Sequence, residues 1–167
     1  MERSGFFNSS SGDRVYDATD FAAYFGSLVS NGIFYANTTN LQVTPVTGMI
    51  VSIATGSAWI NGYRYENTEA LNKTLATANG SYPRIDRIII RWSFLERRII
   101  ATILTGTAAA TPTAPTLTRN AEVYELCLAD VLVPQAATSI TTGNITDTRL
   151  SSSLCGTVNS LVTAVYE

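Results

Sequence analysis

The sequence has no histidine, few charged residues and no long apolar run, and each of these shortages excludes a class of function. Without histidine the chain has no Ser-His-Asp or Cys-His constellation, no histidine-ligated zinc and no imidazole acid–base catalyst. Charged residues make up only 14% of the chain, and the net charge is −2, so a basic face for phosphate contacts is missing. No segment approaches the roughly 18 apolar residues of a membrane span. We therefore expect neither nucleic-acid binding nor membrane association.

Cysteine and aspartate, which also ligate metals, do not show a metal-binding spacing. Cys127 and Cys155 are the two cysteines, and the sequence leaves open whether they pair as a disulfide. Asp13, Asp17 and Asp20 cluster ahead of a predicted helix but lack the alternating spacing of an EF-hand calcium loop. A helix cap and a loop contact explain them better. The sequence thus predicts no metal site and no cofactor.

Glutamates are the one residue type that leaves an enzymatic alternative open, because a glycosidase needs only two carboxylates. Nothing in the sequence brings any two of them to the required separation. We therefore predict no catalytic residues and no enzyme activity, with a cell-wall hydrolase as the least favoured alternative. The glutamates considered are Glu66, Glu69, Glu96, Glu122 and Glu125.

The clearest helical signal lies near the N-terminus. Thr19 or Asp20 is the expected N-cap, and Asn31-Gly32 supplies the left-handed stop. Apolar residues recur between these limits at helical spacing, which predicts an amphipathic helix that must pack on the strands that follow it. The apolar stripe consists of Phe21, Tyr24, Phe25, Leu28 and Val29.

From Leu41 onward the pattern is that of short β-strands separated by turns. Asn61-Gly62 is a strong type I′ hairpin signal, because that turn needs positive φ at both central positions. Residues 105–118, with Pro112 and Pro115, are predicted as an extended loop that crosses from one sheet to another. Strands are predicted at residues 49–53, 58–60, 63–65, 70–77, 85–92, 98–104 and 123–133, with shorter β anchors at Ile140 and Ile145.

Aromatic residues on these strands are the candidates for stacking on a sugar ring. The alternative is that alternate strand positions bury most of them in the core or against each other. Trp92, among isoleucines, is predicted to be a core residue. Tyr63 and Tyr65 stay open as candidate glycan contacts.

Residues 157–167 are predicted to form a short C-terminal helix with one apolar face. Such a face either covers the domain's own core, which its short length favours, or begins an oligomer seam. In the second case it would join the helix residues Phe21 and Leu28 in an oligomer or partner interface. The apolar residues of this face are Leu154, Val158, Leu161, Val162 and Val165.

Five stretches, taken in order, carry a resemblance to a known family. They resemble the N-terminal domain of tail-tip and baseplate proteins from long-tailed bacteriophages of Gram-positive bacteria, over about residues 6–156. Their order and spacing, more than any single stretch, make the likeness. They are residues 7–14 with the helix from Asp20 to Gly32, residues 56–63, residues 83–88, the Pro112/Pro115 loop leading into 124–131, and residues 145–149.

The resemblance implies a mainly β fold: an antiparallel β-sandwich with one amphipathic N-terminal helix and a short C-terminal helix. Residues 1–156 would be a domain similar to the shoulder domain by which lactococcal phage receptor-binding proteins attach to the baseplate, and residues 157–167 a helical tail. Such proteins are usually homotrimers in the virion. A stalk and a saccharide-binding head follow this domain in larger relatives, and we expect no receptor site of that kind here.

The expected function is therefore that of a structural or adaptor protein of the phage tail tip. It would be made in the host cytoplasm, bind other tail or baseplate proteins in the virion and support host adsorption. The alternative is a module that binds host cell-wall saccharide directly, through Tyr63 and Tyr65. Charged residues would serve the scaffold: Asp147 and Arg149 through charge-assisted hydrogen bonds, and Asp86 beside a buried strand.

Overall fold

A computed structural model describes residues 5–162, and over this range the fold is mainly β with one α-helix. Helix α1 spans Ala18–Leu28, and a short 3-10 helix, Thr142–Asn144, precedes the last strand. The strands are β1 Gly32–Ile33, β2 Val43–Pro45, β3 Ile50–Ile53, β4 Gly56–Ile60, β5 Tyr63–Asn67, β6 Leu71–Thr74, β7 Arg84–Ser93, β8 Arg98–Leu104, β9 Val123–Val133 and β10 Ile145–Asp147.

The strands form three antiparallel sheets around one hydrophobic core. The largest sheet has the order β10-β9-β7-β8, and two three-stranded sheets have the orders β1-β4-β5 and β2-β3-β6. Each sheet contributes alternate, fully buried side chains to the same cluster, as strands with one face on a core do. The largest of these are Ile33, Ile60, Val51, Ile53, Ile88, Ile90, Leu126 and Leu128. Trp92 belongs to this core at 7% exposure, which confirms its predicted burial.

The predicted strands at 98–104 and 123–133 are confirmed as β8 and β9, but the loop between them does not change sheets. β8 and β9 lie on either side of β7 in one sheet. The loop crosses the face of that sheet: the Ala109 N–H donates to the Pro83 carbonyl at 3.0 Å, and Arg87 donates to the Pro115 carbonyl at 2.7 Å. The prediction of a crossing between sheets was wrong. β8 and β9 both pair with β7, so the loop that joins them only has to pass over β7 within the same sheet.

The Asn61-Gly62 turn forms as predicted, with φ of 51° and 82° at its two residues. It also determines where the helix sits. A Cβ placed on Gly62 would lie 1.9 Å from the carbonyl oxygen of Ala22, so the helix backbone rests directly on the turn. Ala22 is the one buried residue of α1.

Replacing Gly62 with alanine is expected to displace the helix from the turn. The positive φ alone costs about 1–2 kcal/mol, and the clash with Ala22 adds to it because backbone must move. Gly12→Ala is the matched control, since Gly12 has a similar φ of 77° and open space around its missing Cβ. The readout is the fluorescence of Trp59, whose ring centre lies 5.8 Å from that of Phe25 on the helix. Equal spectra for the two variants would contradict this account.

The helix differs from its prediction at both ends and on its apolar face. Its N-cap is Asp17, whose carboxylate accepts from Thr19 N at 2.8 Å and Asp20 N at 3.2 Å, while the Asp20 carboxylate accepts from Asp17 N. This reciprocal capping box starts the helix earlier than predicted. It ends at Leu28, because Val29 is extended and bridges Ser160.

The apolar stripe of α1 is largely exposed instead of packed on the strands. Phe21 and Tyr24 are each 49% exposed and Phe25 is 42% exposed. The expectation that this stripe would be covered by the sheets is wrong for Phe21 and Tyr24, whereas Phe25 contacts Trp59 of β4 with one part of its ring surface still exposed. Periodicity indicates an apolar face but not what covers it, and here the contact with the turn is made through the small residue Ala22.

The predicted C-terminal helix is not present in the part of it that the structure describes. Residues 157–162 form no helix: Thr157 bridges Ile33 in parallel, Ser160 bridges Val29, and the Leu161 N–H donates to the Leu28 carbonyl at 2.8 Å. These bonds to β1 and to the end of α1 satisfy the backbone groups that a helix would otherwise pair internally. Val165 and the rest of residues 163–167 lie outside the described residues.

Candidate functional site

Two ion pairs with buried arginines hold the scaffold on which the surface sites are built. Arg84 Nε donates to both carboxylate oxygens of Asp86, at 3.0 and 3.1 Å, and the Gly106 N–H donates to the same carboxylate at 2.9 Å. The two side chains are 6% and 0% exposed. Arg84 also donates to the Thr77 carbonyl at 2.7 Å. Asp86 thus joins β7 to the loop after β8, in agreement with its predicted scaffold role.

The second pair ties the end of β10 to the segment before β2. Arg149 binds the Asp147 carboxylate at 2.6 Å and donates to the carbonyls of Asn40 at 2.6 Å and Thr38 at 3.0 Å. The hydrogen bonds from Arg149 hold the pKa of Asp147 below its ordinary value of 3.8, against a smaller opposing effect of burial. The charge-assisted bonds predicted for this pair are therefore present.

Most of the acidic residues considered as catalytic or metal ligands hold arginines or cap backbone. Glu125 is buried and accepts from Arg91 and from the Thr118 N–H, both at 2.7 Å. Glu66 and Glu96 are paired with arginines at the surface. Asp17 and Asp20 form the capping box. Within residues 5–162 no group of three or more potential ligands is arranged to hold a metal. Glu69 and Glu122 are exposed.

The two cysteines are buried free thiols. Burial is the main cause that raises the pKa of Cys127 and of Cys155 to about 12. A thiol with so high a pKa carries almost no thiolate at neutral pH and reacts slowly. Cys127 lies at the centre of β9, where it fills space as a small apolar side chain.

The most distinctive surface feature is a row of exposed aromatic side chains, which we call the aromatic patch. Phe6 stacks against Phe21 and Tyr24 with ring centres 5.2 and 5.1 Å apart, and Tyr24 lies 5.7 Å from Phe25. Phe25 and Phe34 each make an edge-to-face contact with the Trp59 ring, with ring centres 5.8 and 6.3 Å away. Every patch member is at least 38% exposed. The aromatic patch consists of Phe6, Phe21, Tyr24, Phe25 and Phe34.

The structure separates the residues predicted as one interface into three places. Phe21 belongs to the aromatic patch. Leu28 lies beside Leu161, joined by the backbone bond between them, with Val158 and Val162 in the same C-terminal segment. Leu154 is elsewhere, where its carbonyl accepts from Cys127 N and from Arg119. The predicted stripe depended on a helix that does not form over residues 157–162.

The candidate glycan contacts Tyr63 and Tyr65 also have different surroundings. Both are half-buried on the inward face of β5. Burial raises the pKa of Tyr65 above its ordinary 10.0, and Tyr65 packs against the core. Tyr63 lines a surface groove, where its ring lies 5.9 Å from that of Trp92.

This groove has a volume of about 630 Å³ and lies where α1 begins, beside the β7–β8 turn. Its floor is apolar and its rim carries arginines. We call it the Trp92 groove; it is lined by Ala18, Thr19, Tyr63, Arg64, Trp92, Ser93, Phe94, Leu95, Arg97, Arg98 and Ile99.

Several of the surface residues were missed by the sequence patterns. Phe6 lies beside Phe7 in an otherwise polar segment, without a period that would mark it. Phe94 and Leu95 occupy the β7–β8 turn and are 51% and 73% exposed. Large apolar residues in a turn are unusual, and that mismatch was the available signal.

Neither a search for membrane-spanning helices nor comparisons with known proteins point to a function. No helix within residues 5–162 is long and apolar enough to cross a membrane. Comparisons with protein-family models, with curated proteins and with solved structures found no match. The surface is therefore the starting point for function: an exposed aromatic patch, an apolar groove with an arginine rim, and acids largely engaged in ion pairs and caps.

Proposed function

We propose that this chain is a structural adaptor of a bacteriophage tail tip, which binds other tail or baseplate proteins through the aromatic patch and supports host adsorption. The observation that carries the proposal is the exposure of the five aromatic patch residues on one connected surface. Connected apolar patches of this kind mark protein interaction sites on soluble proteins. Aromatic side chains also contribute most of the binding energy in many interfaces.

The proposal includes a β-sandwich shoulder domain that attaches the chain within the virion. The large sheet and the two small sheets share one core, which supports a sandwich arrangement. The Asp147–Arg149 bonds and the Asn61-Gly62 turn, both part of the resemblance to phage tail-tip domains, have scaffold roles. A homotrimer is the proposed assembly, with Leu28 and Leu161 near its interface and the domain spanning residues 1–156.

Location in the virion tests this function most directly. Antibodies against the chain are expected to label the tail tip of intact particles in electron micrographs. Tyr24→Asp, in the aromatic patch, is expected to reduce incorporation into particles at least about 10-fold, because a buried interface aromatic typically contributes more than 1.4 kcal/mol.

Leu150→Asp is the matched control, since Leu150 is 62% exposed and outside the patch. It should leave incorporation unchanged. Particles that lack the chain would refute the tail function. Normal incorporation of Tyr24→Asp would refute the role of the patch.

A second candidate is direct binding of host cell-wall saccharide, which the half-buried ring of Tyr63 in the groove favours. Purified wall polymer would then bind the chain and change its tryptophan fluorescence. We propose no enzyme activity; release of reducing sugar from purified walls would overturn that and support the hydrolase alternative.

A further inference from the structure

We propose that the outer edge of β8, together with the Trp92 groove at its first residues, binds an extended acidic segment of a partner protein by strand addition. The inference rests on the proposed adaptor function and names the chemistry of one partner. It concerns a different surface from the aromatic patch. Strand addition draws affinity from main-chain hydrogen bonds and specificity from pockets for alternate side chains.

The main chain of β8 has one free side. β8 is the last strand of its sheet and pairs only with β7. Among residues 5–162, the backbone groups of residues 99–104 make no hydrogen bond other than those to β7. Their outward N–H and C=O groups are therefore available to another strand.

β8 is also the one long edge that lacks the features that normally discourage pairing. After Arg98 its six residues, Ile-Ile-Ala-Thr-Ile-Leu, contain no charge, proline or glycine. The other edges are protected: β1 has only two residues and bridges Thr157, β2 contains Pro45, β5 carries Arg64 and Glu66, β6 carries Lys73, and β10 has only three residues. Proteins usually shield an edge of this composition, which indicates that β8 is kept for a partner.

The Trp92 groove lies where it can take a side chain of an added strand. Ile99 lines the groove and is the cross-strand partner of Trp92. A residue opposite Ile99 on an added antiparallel strand has its Cβ about 4.5–5.5 Å from that of Ile99 and on the same face. That face is the one where Trp92 and Tyr63 form the apolar floor. An apolar side chain at this position enters the groove.

The rim of the groove determines the charge of the partner. Arg97, in the β7–β8 turn, makes no ion pair within the described part of the chain, whereas Arg98 pairs with Glu96 and Arg64 with Glu66. Those two pairs are about half exposed, so their arginines exchange partners at little cost. A carboxylate next to the apolar anchor would face Arg98 or Arg97. The groove therefore suits an apolar residue followed by Asp or Glu better than a neutral sugar, which needs many polar contacts.

A synthetic peptide tests the inference on the isolated chain. The probe is Thr-Val-Thr-Val-Thr-Phe-Asp-Asp, which in antiparallel pairing places Phe opposite Ile99 and the two aspartates opposite Arg98 and Arg97. With Trp59→Phe as background, Trp92 is the one tryptophan left to report on the groove. We expect a saturable change in Trp92 fluorescence below about 1 mM peptide. We also expect slower amide exchange at residues 99–104.

Three variants and a second peptide distinguish the contribution of the arginines from that of the β8 main chain. The same peptide with lysine in place of aspartate is expected to bind at least about 10-fold more weakly. Arg97→Glu should reverse that preference, while Arg14→Glu, which changes an exposed arginine that does not line the groove, should preserve it. Thr102→Lys, which adds a charge to the edge, should abolish amide protection, with exchange in β7 and β9 as the check on folding.

Three results would overturn the inference. They are absence of saturable binding, equal binding of the acidic and basic peptides, and protection of residues 99–104 by self-association without peptide, which would make a second copy the occupant. These outcomes are distinct from failure of the tail function. If the chain is absent from virions but binds the acidic peptide, only the proposed tail location is refuted. If the chain is present in virions but does not bind the peptide, only strand addition at β8 is refuted.

Discussion

Replacing Asp86 with alanine is expected to lower the free energy of unfolding by about 3–5 kcal/mol, because it leaves a buried arginine without its counter-charge. The Arg84 side chain is 6% exposed and donates to Asp86 through Nε. Gly106 N would lose its acceptor as well. Urea unfolding followed by tryptophan fluorescence measures the loss.

Two comparison variants make the Asp86 prediction specific. Glu96→Ala removes the acid of an exposed pair with Arg98, and its cost is expected to stay below about 1 kcal/mol. Asp86→Asn keeps the shape and part of the hydrogen bonding but not the charge. Its cost in unfolding free energy should therefore lie between those of Asp86→Ala and Glu96→Ala. A cost for Asp86→Ala as small as that for Glu96→Ala would show that the buried pair is not what holds the Gly106 loop to β7.

Replacing Arg149 with methionine is expected to cost about 2–4 kcal/mol, since it orphans the acceptors that Arg149 satisfies. The carbonyls of Asn40 and Thr38 lose their donor, and Asp147 loses its ion pair. Methionine preserves the apolar stem, so the loss reports mainly on the polar contacts. Arg64→Met is the matched control, because Arg64 is an arginine of an exposed pair and 56% exposed.

The Arg149 prediction has a pH dependence whose sign follows from Asp147. Hydrogen bonds from Arg149 lower the pKa of Asp147 in the folded state below the ordinary 3.8 that applies to the unfolded chain. Ionised Asp147 therefore stabilises the fold above about pH 3.8, and this contribution is lost as the pH falls through the lowered folded value. Arg149→Met should reduce the loss of unfolding free energy as the pH falls below about 3.8. The same loss at acid pH in the variant and the parent chain would contradict the role given to Asp147.

Local patterns predicted the elements whose conformation their own residues determine. The β-branched runs predicted β8 and β9 with their observed bounds, and Asn61-Gly62 predicted the turn because few other pairs adopt positive φ twice. Trp92 was predicted to be buried from its isoleucine neighbours. In each case the signal and its structural consequence lie within a few residues of each other.

The helix shows where local information ends. Its existence followed from the period of Phe21, Tyr24 and Phe25, but the period does not say that these side chains stay about half exposed. That depends on the contact between Ala22 and Gly62, which are 40 positions apart. Small residues at a close approach leave no hydrophobic pattern, so the site where the helix packs could not be predicted.

The sequence by itself determined that the chain is mainly β, which residues lie in its longest strands, and that histidine chemistry is absent. Only the tertiary structure decided that residues 157–162 are not helical, because long-range bonds to Ile33 and Leu28 replace the helix that their spacing suggested. It likewise decided that Tyr63 lines a groove, although Tyr63 and Tyr65 both pack against the core. Cross-strand register and the neighbours of an edge are set by residues far apart in the chain, and a local pattern carries no information about them.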